Sequence, residues 1–226
     1  MNSRRTLRKV SSRRMWRPRP ANRCSGFSLI EIIVVIAVAV LLMSISVSAI
    51  HRARESARNL HCLNNLKQDA STLQIFCSTH GKFPDGRNEA WTLPVADEMF
   101  GFQRERNEES LRGEMSVFRC PSDEATVVQG YATGNVGLNH ELPGQAIDVI
   151  HDGTSNTIML SEVTSALGVP WSLGPMLFVA GMNSAHPQTV NVSLADGSVR
   201  GMSKDIDEDV LRSLLTIDGG EIVAEF

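Results

Sequence analysis

The sequence predicts an α+β fold: a long N-terminal helix, transmembrane in its first half and amphipathic in its second, packed on a C-terminal antiparallel β-sheet head. Three observations predict it. The run from Gly26 to Ile50 is apolar over a length that can cross a bilayer. An apolar stripe then continues at three- and four-residue steps as far as Cys77. Beyond Gly81 and Pro84 the pattern changes to short alternating segments separated by turn residues.

Residues 1–26 form a basic leader. Arg4, Arg5, Arg8, Lys9, Arg13, Arg14, Arg17, Arg19 and Arg23 lie in it, with no acidic residue. Such a charge favours retention on the cytoplasmic side of a membrane. Residues 27–50 would rise about 36 Å as a helix, against a hydrocarbon core of about 30 Å. The apolar part of a secretory signal is shorter and ends in small residues at its cleavage site. Here the small-polar break, Cys24-Ser25-Gly26, comes before the apolar run. Glu31 is the one charged residue inside that run, and a charge there costs about 2.5–3.5 kcal/mol on insertion scales. A plain anchor explains the length and the basic flank but not the glutamate. A carboxylate so placed calls for a partner, which another molecule of the same kind would supply.

The chain carries 22 Lys and Arg against 25 Asp and Glu, for a net charge of −3. The leader holds nine of the basic residues and none of the acidic ones, so the remainder stands at −12. An acidic exported portion argues against nonspecific nucleic-acid binding, which rests on basic patches.

The stretch Gly26-Phe27-Ser28-Leu29-Ile30-Glu31 resembles the processing site of type IV prepilins and type II secretion pseudopilins. The resemblance implies that a prepilin peptidase cuts between Gly26 and Phe27 and that the new N-terminus, on Phe27, is methylated. Glu31 would then be the fifth residue of the mature chain, the position that pairs with a neighbouring subunit's N-terminal amine during assembly. It also implies a bacterial inner-membrane protein with a single pass, its N-terminus cytoplasmic and its head periplasmic or extracellular. The expected partners are prepilin peptidase, other pilin or pseudopilin subunits and the inner-membrane assembly machinery. No nucleic acid is expected. A carboxylate and an ammonium stranded in apolar surroundings are costly apart and tolerable as a pair, which agrees with this reading.

Residues 51–80 continue the helix. Ala53, Ala57, Leu60, Leu63, Leu66, Ala70, Leu73 and Cys77 form its apolar stripe. Arg52, Arg54, Glu55, Arg58, Asn64, Asn65, Lys67, Gln68 and Asp69 are expected on the other face. Gly81 and Pro84 provide the stop.

Residues 81–226 are expected to form the head. Its strands are expected at 116–119, 125–129, 147–150, 157–162, 177–180, 190–194 and 198–202, with an edge strand at 221–226. The alternating segment Val190 to Leu194, followed by Ala195-Asp196-Gly197, reads as a hairpin. A short amphipathic helix is expected from Asp205 to Thr216, with Ile206, Val210, Leu211, Leu214 and Leu215 on its apolar side.

A second resemblance spans most of the remaining chain. Arg54-Glu55-Ser56-Ala57-Arg58, Cys62-Leu63-Asn64-Asn65-Leu66-Lys67-Gln68, Gly81-Lys82-Phe83-Pro84, Cys120-Pro121-Ser122-Asp123 and Asp152-Gly153-Thr154-Ser155-Asn156-Thr157-Ile158 are similar to a family of prepilin-like proteins of unknown function. That family is recognised by a C-terminal H-x9-DG motif, which here is His186 with Asp196-Gly197. Two departures are Ser48, where members often have a helix-kinking proline, and Gly201, where an aromatic is usual. The combined resemblance implies a pilin-like architecture.

Two sites follow as expectations. His186 and Asp196, with Asp152 or Glu162, are candidate ligands for calcium or another divalent ion, although histidine suits transition metals better than calcium. The competing reading gives Asp196-Gly197 and Asp152-Gly153 turn roles alone, and on it no cofactor is needed. Cys24 leaves with the leader. Cys62 and Cys77, fifteen residues apart on one helix, would lie about 22 Å apart, too far to bond. Cys120 is then the partner in any intramolecular disulfide. Because Cys62 and Cys120 both sit in motifs of the resemblance, they are the expected pair, against the alternative of three buried thiols. No HExxH, GxSxG, GxxxxGK[ST] or paired CxxC motif is present, so no enzymatic activity is expected. The alternative is an anchored exported domain that binds a ligand, or acts through a metal, without polymerising.

Overall fold

The structure is a computed structural model describing residues 27–104, 107–124, 127–174, 176–178 and 183–221. It divides into two compact units, one ending at Val47 and one beginning at Ser48. The leader with Gly26 lies outside the described residues, as do 125–126, 179–180 and 222–226 of three expected strands.

Helix α1 is Leu29–His80 and continues through Ser48 without interruption. In the first unit Glu31 lies in its first turn and accepts a hydrogen bond from the Ser28 N–H at 2.9 Å. A carboxylate there satisfies an otherwise orphaned donor. Phe27 and the large apolar side chains from Leu29 to Ile50 are exposed. Length and composition make this segment able to cross a membrane.

In the second unit, a five-stranded sheet has the order β5-β3-β4-β6-β7. Its strands are β3 (Val136–Asn139), β4 (Ile158–Glu162), β5 (Leu177–Phe178), β6 (Thr189–Leu194) and β7 (Val199–Ser203). Neighbours are antiparallel except β3 and β5, which pair in parallel. The sheet is therefore mixed rather than wholly antiparallel. A separate two-stranded ribbon joins β1 (Val127–Val128) to β2 (Tyr131–Ala132). Among the described residues the further α-helices are α2 (Thr92–Phe100), α3 (Glu108–Arg112) and α4 (Glu208–Ser213).

Several local readings change. Residues 116–118 and 147–149 form single 3-10 turns rather than strands. Strand β3 was not expected: its Gly137 and Asn139 depress strand propensity, yet all four of its residues are buried. Gly137 fits there because Phe178 and Val163 approach to 3.2 Å from where a Cβ would stand. Helix α2 was also unexpected, although Pro94 in its first turn and left-handed Gly101 at its end are ordinary helix punctuation. Helix α4 is shorter than the 205–216 segment because Asp207 caps it, accepting from the Asp209 and Val210 N–H groups.

The core lies where α1 meets the sheet and the α2 region. Leu66, Ala70, Leu73 and Cys77 of α1 are buried with Leu138, Leu160, Val192 and Leu194 of the sheet. Phe118 stacks on Trp171 at a centroid distance of 5.7 Å, and Trp91–Phe118 and Phe102–Trp171 meet edge-to-face at 5.9 and 5.8 Å. The indoles of Trp91 and Trp171 donate to the Met176 and Gly113 carbonyls at 3.0 and 2.8 Å. Asp69 is wholly buried on α1, and burial pushes its carboxyl well above the usual carboxylate range.

The apolar stripe of α1 holds only in part. Ala53, Ala57 and Leu60 are exposed, whereas Cys62, Asn65 and Asp69 are buried and Glu55 and Asn59 are half-buried. The helix turns a polar face inward at this level because the opposing surface is polar. Lower down, α1 docks on the β6–β7 turn. Lys67 Nζ donates to the Gly197 carbonyl at 2.6 Å and Gln74 Nε2 to the Ala195 carbonyl at 3.1 Å. Gly197 has φ +80°, and a Cβ there would lie 2.6 Å from Gln74 Oε1. Gly197→Ala should destabilise the head by about 1–3 kcal/mol through backbone strain and displacement of Gln74. A urea titration showing an unchanged midpoint would contradict this.

Candidate functional site

Glu55, Asn59 and Cys62 follow one another at i, i+4 and i+7 and so share one face of α1. Opposite them stand Cys120, the Glu162 end of β4, and the segment from Ser184 to His186 that leads into β6. One ligand atom from each of Cys62, Cys120, Glu162 and His186 lies within 4.8 Å of the other three, and all four residues are buried.

The expected disulfide pair, Cys62 and Cys120, does come together, with the sulfurs 2.6 Å apart, but as free thiols rather than a bond. Cys77 is a third buried free thiol. Loss of a proton from the close pair leaves one charge stabilised by the remaining S–H. The Cys62 bond accordingly lowers the Cys120 thiol to about 7, against the opposing effect of burial. The same bond, with burial, pushes Cys62 upward.

The imidazole is held from both sides. His186 Nδ1 lies 2.7 Å from Glu55 Oε1, and since a carboxylate only accepts, Nδ1 carries the proton. Nε2 therefore faces the buried side, 3.4 Å from Cys120 Sγ and 3.5 Å from Glu162 Oε1. Burial disfavours charge on the ring, but the Glu55 hydrogen bond and the Glu162 charge outweigh it, and the His186 pKa is raised. Glu55 is lowered, first by its bond to His186 and also by Arg58, whose Nη2 reaches it at 2.6 Å.

Glu162 is built in as an acceptor. Oε2 accepts from Ser184 Oγ at 2.7 Å and from the Asn191 N–H at 3.0 Å, and Oε1 accepts from Asn191 Nδ2 at 3.0 Å. Asn191 Nδ2 also donates to Asn59 Oδ1 at 2.6 Å. The turn after Cys120 locks to the same helix face. Ser122 Oγ donates to Glu55, and Asp123 accepts from Asn135 Nδ2 at 2.5 Å and from the Ser165 N–H at 2.7 Å.

His186 and Asp196 do not come together. They flank opposite ends of β6, whose six residues span roughly 20 Å. Asp196 is exposed and accepts from the Ser198 N–H at 2.8 Å. Gly197 supplies the left-handed residue of that turn. Asp152 is likewise occupied elsewhere, accepting from the Gly219 and Gly220 N–H groups at 2.8 Å each. Of the residues considered with His186 as ligands, Glu162 alone meets it. Sequence reasoning missed Glu55 as the anchor of His186 and missed the meeting of His186 with both cysteines. The usable signal was the i, i+4, i+7 spacing that puts Asn59 and Cys62 on the same helix face as Glu55, a residue expected on the polar side.

Donors of this kind suit a soft or borderline metal or thiol chemistry. Phe27 and Glu31 lie in the other unit, at the start of α1.

Two family descriptions match the chain. Residues 21–47 match the prokaryotic N-terminal methylation motif, and residues 51–103 match a family described as protein of unknown function (DUF1559). No curated protein and no solved structure matches it.

Proposed function

We propose that this prepilin-like chain is a structural subunit of a type IV pilus-like or type II secretion pseudopilus filament, assembled through its N-terminal helix after cleavage following Gly26. The observation that carries the reading is Glu31, alone in an exposed apolar helix and five residues beyond the glycine of a methylation motif. A bare membrane anchor needs that carboxylate for no more than its hydrogen bond from the Ser28 N–H. A filament has a further use for it: the new amine of Phe27 in one subunit compensates Glu31 of another.

In this reading prepilin peptidase processes the precursor, and other pilin-type subunits and an inner-membrane assembly machinery are its partners. The helix anchors the precursor in the bacterial inner membrane by a single pass, with the head on the exported side. The head's role is structural rather than catalytic. Intact-mass and N-terminal analysis of the membrane-extracted chain tests the proposal. A mature chain beginning at N-methylated Phe27 is expected; a chain retaining residues 1–26 would sink it.

A further inference from the structure

We propose that Cys62, Cys120, His186 and Glu162 form a binding site for a zinc-type divalent ion that fastens α1 to the sheet. Four donor atoms from four separate parts of the chain converge within 4.8 Å, all on buried residues. Two sulfurs, one imidazole nitrogen and one carboxylate oxygen are a four-coordinate zinc set, and sulfur ligands disfavour calcium and magnesium. His186 is oriented as a metal-binding histidine is: Nδ1–H is held by Glu55 at 2.7 Å, and Nε2 points toward Cys120 and Glu162. Ser184 and Asn191 hold Glu162 in the same supporting way. Beside the sulfurs lies a cavity of about 10 Å³ lined by Cys62, Cys120 and Glu162, roughly the space one water-sized body needs.

The spacing also says what must move. Zn–S bonds of about 2.3 Å in a tetrahedron put two sulfurs about 3.7 Å apart. The Cys120–His186 and His186–Glu162 separations of 3.4 and 3.5 Å already suit such a site, whereas the sulfurs at 2.6 Å must part by about 1 Å. The adjoining cavity gives them room. With four protein ligands the site is closed, so the ion's role is structural, and binding releases the thiol protons to solvent. This inference is independent of filament assembly, since every ligand lies in the second unit.

The full-length chain, extracted in detergent without chelator, should carry about one zinc per molecule by mass-spectrometric metal analysis, and His186→Ala and Cys120→Ser should each lose it. Glu55→Gln should retain the ion with about 10- to 100-fold weaker affinity. Unaltered chain, reduced and stripped of metal, provides a readout that needs no variant to fold. Titrated with Co²⁺, it should develop thiolate-to-cobalt charge transfer and the visible bands of four-coordinate cobalt, saturating near one equivalent. The proposal is overturned by reduced chain that shows no such bands, by zinc that persists in both variants, or by a metal-free chain whose nonreducing peptide map contains a Cys62–Cys120 disulfide.

Discussion

Glu31→Ala is expected to abolish incorporation into filaments while leaving the head as stable as before. In the single chain this carboxylate has a modest local role, accepting from the Ser28 N–H at the start of α1. That bond would cost about 1 kcal/mol to lose. On the proposed assembly its larger role lies between molecules. Every large apolar side chain around it is exposed, so a filament assembled as proposed would pack it among apolar helices. On that reading an ammonium from a processed Phe27 brought to it there would make an ion pair in a low dielectric. Removing one partner of such a pair costs about 3–5 kcal/mol, because the other charge is left buried and uncompensated. At 1.4 kcal/mol per tenfold, that is more than about a hundredfold in subunit association. Sedimentable polymer from cells expressing the variant should fall accordingly, with membrane levels of processed monomer maintained. The urea midpoint of the head should shift by less than about 0.5 kcal/mol equivalent, since the substitution lies in the other unit. Polymer at normal yield would remove the case for Glu31 as an assembly contact. Glu31→Gln separates charge from shape, and on this argument it fails nearly as badly.

What the sequence made legible, and what it hid, follows from the range of the interactions involved. Helix α1, its stop at Gly81 and the β6–β7 hairpin are specified by neighbours in the chain: an apolar period, a left-handed glycine and an Asp-Gly turn. They stand where expected. Strand β3 and the parallel pairing of β5 are specified by what packs on them. Gly137 is in a strand because Phe178 and Val163 leave no space for a side chain, and no local pattern encodes that. Residues 116–118 and 147–149 failed for the opposite reason, as short apolar segments whose pattern a 3-10 turn fits equally well. The site was half legible. Cys62, Cys120 and His186 stood out as residue types, but their meeting depends on α1 turning Glu55, Asn59 and Cys62 inward. Read as an amphipathic helix, α1 should have turned Leu60 and Ala57 inward instead. The polar face is inward because Glu162 and Asn191 are there to meet it.

Glu162→Ala should be the most damaging single change within the head, costing about 3–5 kcal/mol out of a typical domain stability of about 5–15 kcal/mol. The residue is 3% exposed, at the end of a strand whose other residues are also buried. Its two oxygens accept from Ser184, from the Asn191 backbone and from the Asn191 side chain, and one lies 3.5 Å from His186. Truncation removes the acceptor for all of them at once and opens a cavity. Two buried polar groups without partners, at about 1–3 kcal/mol each, already account for most of the loss. Glu162→Gln keeps the volume and one acceptor oxygen but turns an NH₂ toward other donors. Its cost should therefore be smaller, about 1–3 kcal/mol. Urea unfolding followed by the fluorescence of buried Trp91 and Trp171 measures both variants. Chelator and reductant should be present throughout, so that lost metal binding does not enter the comparison. The ordering Ala worse than Gln, with both well below the parent, marks an ionised carboxylate used as a hydrogen-bond hub. Equal losses would instead assign the effect to charge alone. A change under about 1 kcal/mol in Glu162→Ala would mean that the donors around it find other acceptors, and that this polar junction between α1 and the sheet is not what holds the head together.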